Sequence, residues 1–325
     1  MTGGKSGRRI LVTGGAGFIG SHIVEGLLER GHRVRVLDNF STGKMENLKN
    51  LGRGRWNAER DFELIQGDIR DAHTVAAATK GMDAVLHQAA LGSVPRSVQD
   101  PVTTQHVNAD GTLNIFVAAR ANGIDRVVYA SSSSVYGDSE TLPKREGTEG
   151  RGLSPYALTK KNNEEYSRLF MDLYGFETVG LRYFNVYGPK QDPMSEYAAV
   201  IPRFTTALLS GNRPVIYGTG RQTRDFTYVK DVVEANMLAL EAPISACGRA
   251  YNIGCGSRES LLELLDTLKE LLHTSIEPQF DPPRAGDVMH SSADTSLAER
   301  ILGFRATHDL ATGLAQSIEW YRENC

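Results

Sequence analysis

The sequence predicts an α/β protein built on a doubly wound parallel sheet, with a smaller α/β substrate-binding unit attached. Three observations carry that prediction. Apolar runs with β-branched members recur through the first 182 positions, alternating with amphipathic segments of helical spacing, the pattern of a parallel sheet covered by helices. The first run leads into glycines at 14, 17 and 20, so strand, tight turn and helix follow one another directly. From position 185 onward glycine, proline and charge become denser and the alternation thins, as expected where a second unit begins.

Ile10, Leu11 and Val12 form the first strand, because a parallel strand buried on both faces reads as a continuous apolar run. Residues 21–29 follow as an amphipathic helix that Gly31 closes. Between them, the glycine turn at Gly14 and Gly17, with Phe18 and Ile19, makes an anion site. Glycine lets backbone approach a pyrophosphate, and the free N–H groups opening a helix point at its charge. Residues 32–38 form a second strand ending in Asp38, 18 positions beyond Gly20, where a carboxylate for ribose hydroxyls is expected. Asn39 comes next rather than an arginine, so nothing adjacent neutralises a 2′-phosphate and NAD is favoured over NADP.

A third strand over 62–68 ends in Asp68, placed to meet adenine, and Asp71 caps a helix to about Lys80. The fourth strand, 83–90, carries the small residues Ala89 and Ala90 where backbone must pass close to a cofactor. A long helix is expected over 103–122, ended by Gly123, then a strand over 126–131, a helix over 155–174 and a strand over 178–182. The expected division is 1–182 as the cofactor-binding unit, with 226–256 returning to it, and 183–225 with 257–325 as the substrate-binding unit.

Composition narrows the class further. Apolar residues at 40% and charged residues at 23% of 325 positions are ordinary for a globular protein. A net charge of −3 supplies no basic field for nucleic acid. The three cysteines have no metal-ligand spacing, so no metal is expected and reduced thiols in a cytoplasmic protein are the simplest reading. The first nine residues lack the apolar core of a signal peptide, and no apolar run approaches a membrane span of about 20 residues.

The chemistry converges on a serine run and a helix. Ser131 to Ser134 end the fifth strand, and Tyr156 and Lys160 lie four apart in the helix that follows, hence on one face. A cation beside the phenol is expected to lower the Tyr156 pKa toward the working pH. A hydroxyl of the serine run then completes a group able to take a proton from an alcohol while hydride leaves its carbon.

In combination, Thr-Gly-Gly-Ala-Gly-Phe-Ile-Gly at 13–20, Tyr156 with Lys160, Arg-Tyr-Phe-Asn-Val-Tyr-Gly-Pro at 182–189, Arg-Asp-Phe-Thr-Tyr-Val at 224–229 and Tyr-Asn-Ile-Gly at 251–254 resemble the extended short-chain dehydrogenase/reductases, and among them the NAD-dependent UDP-sugar 4-epimerases with their Rossmann fold. The resemblance implies Tyr156 as general base, Lys160 as its pKa-setting partner that also holds the nicotinamide ribose, and Ser132, with Ser133 beside it, on the reacting hydroxyl. It implies Ile69, Asn108 and Phe184 at the cofactor, with Phe184 bordering the nicotinamide. It implies Asn185, Arg224, Arg284 and Asp287 on the uridine diphosphate, Tyr217 near uracil, and Ser93 and Val200 at the substrate. The family also implies a homodimer joined through the helices at 103–122 and 155–174, for which Ile115, Phe116, Leu169, Phe170 and Leu173 are candidate contacts.

The segments 92–97 and 191–202 most resemble epimerases of UDP-N-acetylhexosamines, and Ser291 falls where the family places a gate beside the sugar. A serine there leaves room for an acetamido group. The expected activity is therefore interconversion of UDP-GlcNAc and UDP-GalNAc, with UDP-Glc and UDP-Gal also turned over. The alternatives are a UDP-glucuronate 4-epimerase or decarboxylase. A 4,6-dehydratase needs an acid/base pair where this chain has Ser133 and Ser134, and a non-catalytic dinucleotide sensor would not need both Tyr156 and Lys160.

Overall fold

The structure is a computed structural model describing residues 7–49, 51, 57–194, 198–283 and 289–324. Its first half runs β1 (Arg9–Thr13), α1 (Phe18–Glu29), β2 (Arg33–Asp38), α2 (Glu46–Lys49), α3 (Ala58–Asp61), β3 (Phe62–Gln66), α4 (Ala72–Thr79), β4 (Ala84–His87), α5 (Val94–Gln99), α6 (Pro101–Gln105), α7 (Gly111–Ala121), β5 (Arg126–Ser132), α8 (Pro155–Tyr174) and β6 (Glu177–Tyr183). The second half continues with β7 (Val186–Tyr187), α9 (Val200–Leu209), β8 (Val215–Tyr217), β9 (Thr223–Arg224), β10 (Thr227–Tyr228), α10 (Val229–Glu241), β11 (Arg249–Ile253), β12 (Glu259–Ser260), α11 (Leu261–Leu272), β13 (Gln279–Asp281), α12 (Ser296–Leu302) and α13 (Leu310–Asn324).

Seven strands form one sheet in the order β11-β6-β5-β4-β1-β2-β3, every neighbouring pair parallel. β1 lies between β2 and β4, so the chain leaves it toward opposite edges in turn, and a crevice opens at the carboxyl ends of these strands. Both faces of the sheet are buried. Along β1, Ile10 and Val12 join one core with Val24, Val36 and the α10 residues Val232 and Ala235, while Leu11 joins the opposite core with Val85, Val127, Ile115 and Phe116. Successive strand side chains point to opposite faces, which is why the run is apolar throughout. Each such side chain contributes about 1.5–3 kcal/mol on burial. A separate cluster of Phe204, Leu208, Ile216, Leu264, Leu268 and Leu314 packs α9, α11 and α13 around β8.

The expected return to the sheet occurs: β11 pairs with β6 from Arg249↔Val179 to Ile253↔Tyr183. The helix expected over 103–122 is present, running from α6 through a π-helical turn at His106–Asp110 into α7 without leaving helical backbone. One expectation changes. Among the candidate dimer contacts, Ile115, Phe116 and Phe170 are buried within the subunit, because the faces of α7 and α8 that carry them pack against the sheet. Leu169 and Leu173 are exposed, as are Val117 on α7 and Leu158 and Tyr166 on α8.

Candidate active site

A cleft of about 470 Å³ opens at the carboxyl ends of β1, β2, β4 and β5 and is lined by Gly14, Gly17, Phe18 and Ile19. The turn is tight. Gly14 has φ +69 and its N–H donates to Leu37 O (2.8 Å), while Gly17 N–H donates to Gly14 O (3.0 Å). A Cβ on Gly14 would lie 2.7 Å from Ala89 N, and one on Gly20 would lie 2.1 Å from Gly14 O, so only glycine permits this approach. Helix α1 begins with no side-chain cap and no acid in its first turn, leaving its opening N–H groups for an anion.

Asp38 ends β2 at the cleft wall. Its Oδ2 accepts from Ala16 N–H (2.9 Å) and its Oδ1 from Phe40 N–H (2.8 Å), so the carboxylate is fixed against the glycine turn. Asn39 Nδ2 donates to Asp68 Oδ2 (2.8 Å), and the Arg70 guanidinium holds the Asp68 carboxyl down at about 2. Asp68, Ile69, Ala89 and Ala90 line the cleft. Among the described lining residues Lys160 is the only cation. The cradle therefore fits a dinucleotide whose adenosine ribose carries free hydroxyls.

Two expected cofactor residues do not line this cleft. Asn108 lies in the π-helical turn, and its amide is spent on backbone: Oδ1 accepts from Leu91 N–H (2.7 Å) and Nδ2 donates to Leu91 O (3.1 Å). It shapes the wall through Leu91, which does line the cleft. Phe184 is fully buried in a separate cluster with Val135, Tyr136 and Ala293. Its flanking residues Tyr183 and Asn185 face the cleft instead.

The reactive group is built where β5 meets α8. Ser154 caps α8 by accepting from Ala157 N–H (3.1 Å), which sets Tyr156 and Lys160 on the turns nearest the cleft. Tyr156, Lys160, Ser132 and Ser133 all line it. Ser132 Oγ accepts from Ser134 N–H (3.1 Å), capping a 3₁₀ turn over Ser133–Tyr136, and its hydroxyl stands near the Tyr156 phenol, where it favours the phenolate. Lys160 Nζ donates to Ala130 O (2.7 Å) and stands 5.9 Å from the Tyr156 ring centroid.

The expected fall in the Tyr156 pKa is corrected here. From the protein groups alone, burial pushes the phenol above its ordinary value, and the Ser132 hydroxyl opposes this only in part. Burial also pushes the Lys160 ammonium down to about 8. Desolvation outweighs the pairing because the ammonium is directed at a carbonyl rather than at the phenol oxygen.

A second cavity of about 260 Å³ adjoins the first, with Asn185 and Val186 lining both. Val200, Tyr217 and Arg224 line it. Asn185, held at φ +27, donates through Nδ2 to Asp225 O (3.1 Å). Ser93 instead caps α5, accepting from Arg96 N–H (3.2 Å), and lines neither cavity. Ser291 N–H donates to Thr223 O (3.1 Å) beside β9, and its side chain also lines neither. Arg284 and Asp287 lie outside the described residues.

Several lining residues were not among the expected site residues, and two of them matter for the chemistry. Arg203, one turn beyond Val200 on α9, places its guanidinium 5.6 Å from the Tyr217 ring centroid. That i,i+3 spacing was the available signal. Gln191 lines the first cavity, where its Nε2 donates to Val186 O (3.1 Å) and its buried Oε1 accepts from no donor among the described residues.

Comparison with known proteins agrees with this geometry. The family model described as the NAD dependent epimerase/dehydratase family matches residues 10–254. A UDP-glucose 4-epimerase of Mycolicibacterium smegmatis is 40% identical over 316 residues, covering 97% of this chain and 98% of that protein. The UDP-N-acetylglucosamine 4-epimerase of Methanobrevibacter ruminantium M1, solved in complex with UDP-N-acetylmuramic acid, superposes with a TM-score of 0.92 at 38% identity, covering 99% and 100% of the two chains. A UDP-N-acetyl-α-D-glucosaminuronate decarboxylase of Bacillus cytotoxicus is 34% identical, covering 97% of this chain and 98% of that protein.

Proposed function

Given a chain that belongs to the NAD-dependent epimerase/dehydratase family and is a UDP-sugar 4-epimerase using NAD, we propose that its substrates are UDP-GlcNAc and UDP-GalNAc, with UDP-Glc and UDP-Gal as secondary ones. The observation that carries the choice of a neutral sugar is the cleft lining, where Lys160 is the only cation among the described residues; Gln191 Oε1, a buried acceptor with no donor among them, can accept from a hydroxyl of any of these sugars. A buried acceptor left unmatched costs about 1–3 kcal/mol. A sugar hydroxyl or acetamido N–H would satisfy it. A uronate carboxylate would bring a second acceptor, and no cation but Lys160 lines the cleft among the described residues. This speaks against the glucuronate 4-epimerase and decarboxylase readings. The likeness to the M. ruminantium enzyme supports the N-acetylated pair over the plain hexoses.

In this reading, residues 1–182 with 226–256 bind NAD, and 183–225 with 257–325 bind the UDP-sugar. Gly14, Gly17, Phe18 and Ile19 hold the pyrophosphate, Asp38 the ribose hydroxyls and Asp68 the adenine side. Bound NAD would accept the C4 hydride and set a positive charge beside Tyr156, which would favour the phenolate against burial. Tyr156 takes the proton of the 4-hydroxyl, Ser132 steadies that oxygen, and Lys160 holds the cofactor ribose. After the 4-keto sugar turns over, the hydride would return to the opposite face of C4 and Tyr156 returns the proton to the C4 oxygen. Arg224 and Asn185 hold the diphosphate, Tyr217 and Arg203 flank the base, and Arg284 and Asp287 complete the grip. Exposed Val117, Leu158, Tyr166, Leu169 and Leu173 favour a homodimer through α7 and α8. No helix among the described residues is long and apolar enough to cross a membrane, and the working location in this proposal is the cytoplasm.

The test is incubation with UDP-GlcNAc, UDP-Glc and UDP-glucuronate without added reductant, reading kcat/KM for each. A preference for UDP-GlcNAc is expected. Faster turnover of UDP-glucuronate than of either neutral sugar would overturn the assignment.

A further inference from the structure

The last residues of β5 each face a different turn of α8. Ala130 O accepts from Lys160 Nζ (2.7 Å), Ser131 Oγ donates to Glu164 Oε1 (2.5 Å), and Ser132 lines the cleft together with Tyr156. Tyr156, Lys160 and Glu164 are spaced i, i+4, i+8, so they form one stripe along the helix. Glu164 is in turn clamped from β6: Arg182 Nε donates to its Oε1 (2.9 Å) and Arg182 Nη2 to its Oε2 (2.7 Å). The other arm of the same guanidinium reaches Tyr136 Oη (2.9 Å), at the end of the 3₁₀ turn, and the Glu149 carboxylate. Arg182 is buried, and both acids keep little exposure. One buried fork thus joins the serine turn, the segment before α8 and α8 itself. A bidentate arginine–carboxylate pair fixes direction as well as distance.

We propose that Glu164 is a positioning residue for the Tyr156–Lys160 pair. Clamped by Arg182 and Ser131, its carboxylate holds the reactive stripe of α8 against the end of β5 and sets a negative charge one turn beyond Lys160. The inference rests on the reading of Tyr156 and Lys160 as the catalytic pair.

The electrostatic surroundings agree. Burial pushes Lys160 down, and Glu164 is the group that draws it back up. The other ionisable side chains near the ammonium are Tyr156 on α8 and His87 on β4, and Arg182 on β6 stands beyond Glu164. Burial keeps His87 neutral, down at about 3, so it adds no charge in the working range. β5 contributes a carbonyl and two hydroxyls. Glu164 is therefore the anion available to keep Lys160 charged.

The experiment compares wild type with Glu164→Gln, Glu164→Asp and Ser131→Ala, reading kcat and KM for UDP-sugar epimerisation from pH 6 to 10 alongside thermal midpoints. Glu164→Gln keeps the shape and loses the charge. Its basic limb is expected to move about one pH unit lower, the small end of what a neighbouring opposite charge does to a pKa. KM for the UDP-sugar should stay within about twofold, because the substitution removes no group from the substrate cavity. Glu164→Asp is expected to restore much of the wild-type limb. Ser131→Ala leaves the ion pair intact and should show a smaller shift in the same direction, so it carries the test if Glu164→Gln does not fold. A basic limb that stays in place, with any loss uniform across pH, would mean that Glu164 only stabilises the fold and would overturn the proposal. Tyr156→Phe measured in parallel separates the two readings. An active phenylalanine variant removes the catalytic pair itself, whereas an inactive one with an unmoved limb in Glu164→Gln removes only the role of Glu164.

Discussion

Replacing Gly20 by alanine puts a methyl where the backbone of the glycine turn already sits. The added carbon would stand 2.1 Å from Gly14 O, 2.8 Å from Gly14 C and 2.9 Å from Gly15 Cα. Non-bonded heavy atoms settle at roughly 3.5 Å, so the turn must retreat by more than an ångström. All three neighbours are backbone, and Gly14 is itself boxed by Ala89 N at 2.7 Å from its own would-be Cβ. Alanine gains about 1 kcal/mol over glycine in a helix, whereas overpacking costs about 1–3 kcal/mol. Net stability should therefore fall by no more than about 2 kcal/mol. NAD affinity should suffer more, because the turn that retreats leads into the opening N–H groups of α1, which the proposed function assigns to the pyrophosphate. A loss of about 2–3 kcal/mol corresponds to a roughly 30- to 150-fold weaker Kd. Titration calorimetry with NAD, beside denaturant midpoints, reads both quantities. Gly31→Ala is the control: it has φ +81 but open space around it, so it should cost about 1–2 kcal/mol of stability and leave NAD binding unchanged. Folded Gly20→Ala protein that binds NAD within threefold of wild type would refute the steric argument.

Tyr156→Phe is expected to lower kcat about 10²- to 10⁴-fold while calorimetry finds NAD binding largely intact. Ser291→Tyr tests the gate that the resemblance implies, since Ser291 itself lines neither cavity: as a gate it should reduce kcat/KM for UDP-GlcNAc more than for UDP-Glc, by roughly 5- to 150-fold for an overpacking cost of 1–3 kcal/mol, and equal losses would remove it from that role. Below pH 6.5 an unfolded His87 takes up a proton that the folded one, held at about 3, refuses. Stability should thus fall with acidification, approaching about 1.4 kcal/mol per pH unit from this group, and chemical denaturation between pH 6 and 4 should show a flatter slope in His87→Gln. Leu169→Glu with Leu173→Glu places charge on the exposed stripe of α8, and sedimentation at micromolar concentration should then give a monomer where wild type gives a dimer.

What could be read from the sequence was what local chemistry dictates. The run at 10–12, the glycines at 14 and 20 and the spacing of Tyr156 from Lys160 each impose a structure on their own neighbourhood, and α8 spans the residues its pattern predicts, capped by Ser154 and ended by Gly175 in the left-handed region. The π-helical turn at 106–110 was hidden because its cause is tertiary: Asn108 turns inward to hold the Leu91 backbone. Phe184 misled for a related reason. Its motif says which segment passes the cleft, but strand twist and the β11 pairing decide which side chain of that segment faces it. The Tyr156 pKa required knowing where the Lys160 ammonium points, and only the fold brings Ala130 O within its reach. Helix α11, by contrast, carries a reciprocal cap between Ser260 and Glu263, a signal present in the sequence that the reading left unused.

Asn185 and Val186 belong to the walls of both cavities. Two ligands that share a wall are thermodynamically linked. Whatever free energy one spends on shifting that wall reappears as a change in the other's affinity, and the factor is the same in both directions. The order of loading then has no bearing on the final equilibrium, but it decides which ligand meets the wall already set. A UDP fragment that tightens NAD retention by a given factor must itself bind the NAD-loaded protein tighter by that factor. Two titrations, each run with and without the other ligand, close that cycle.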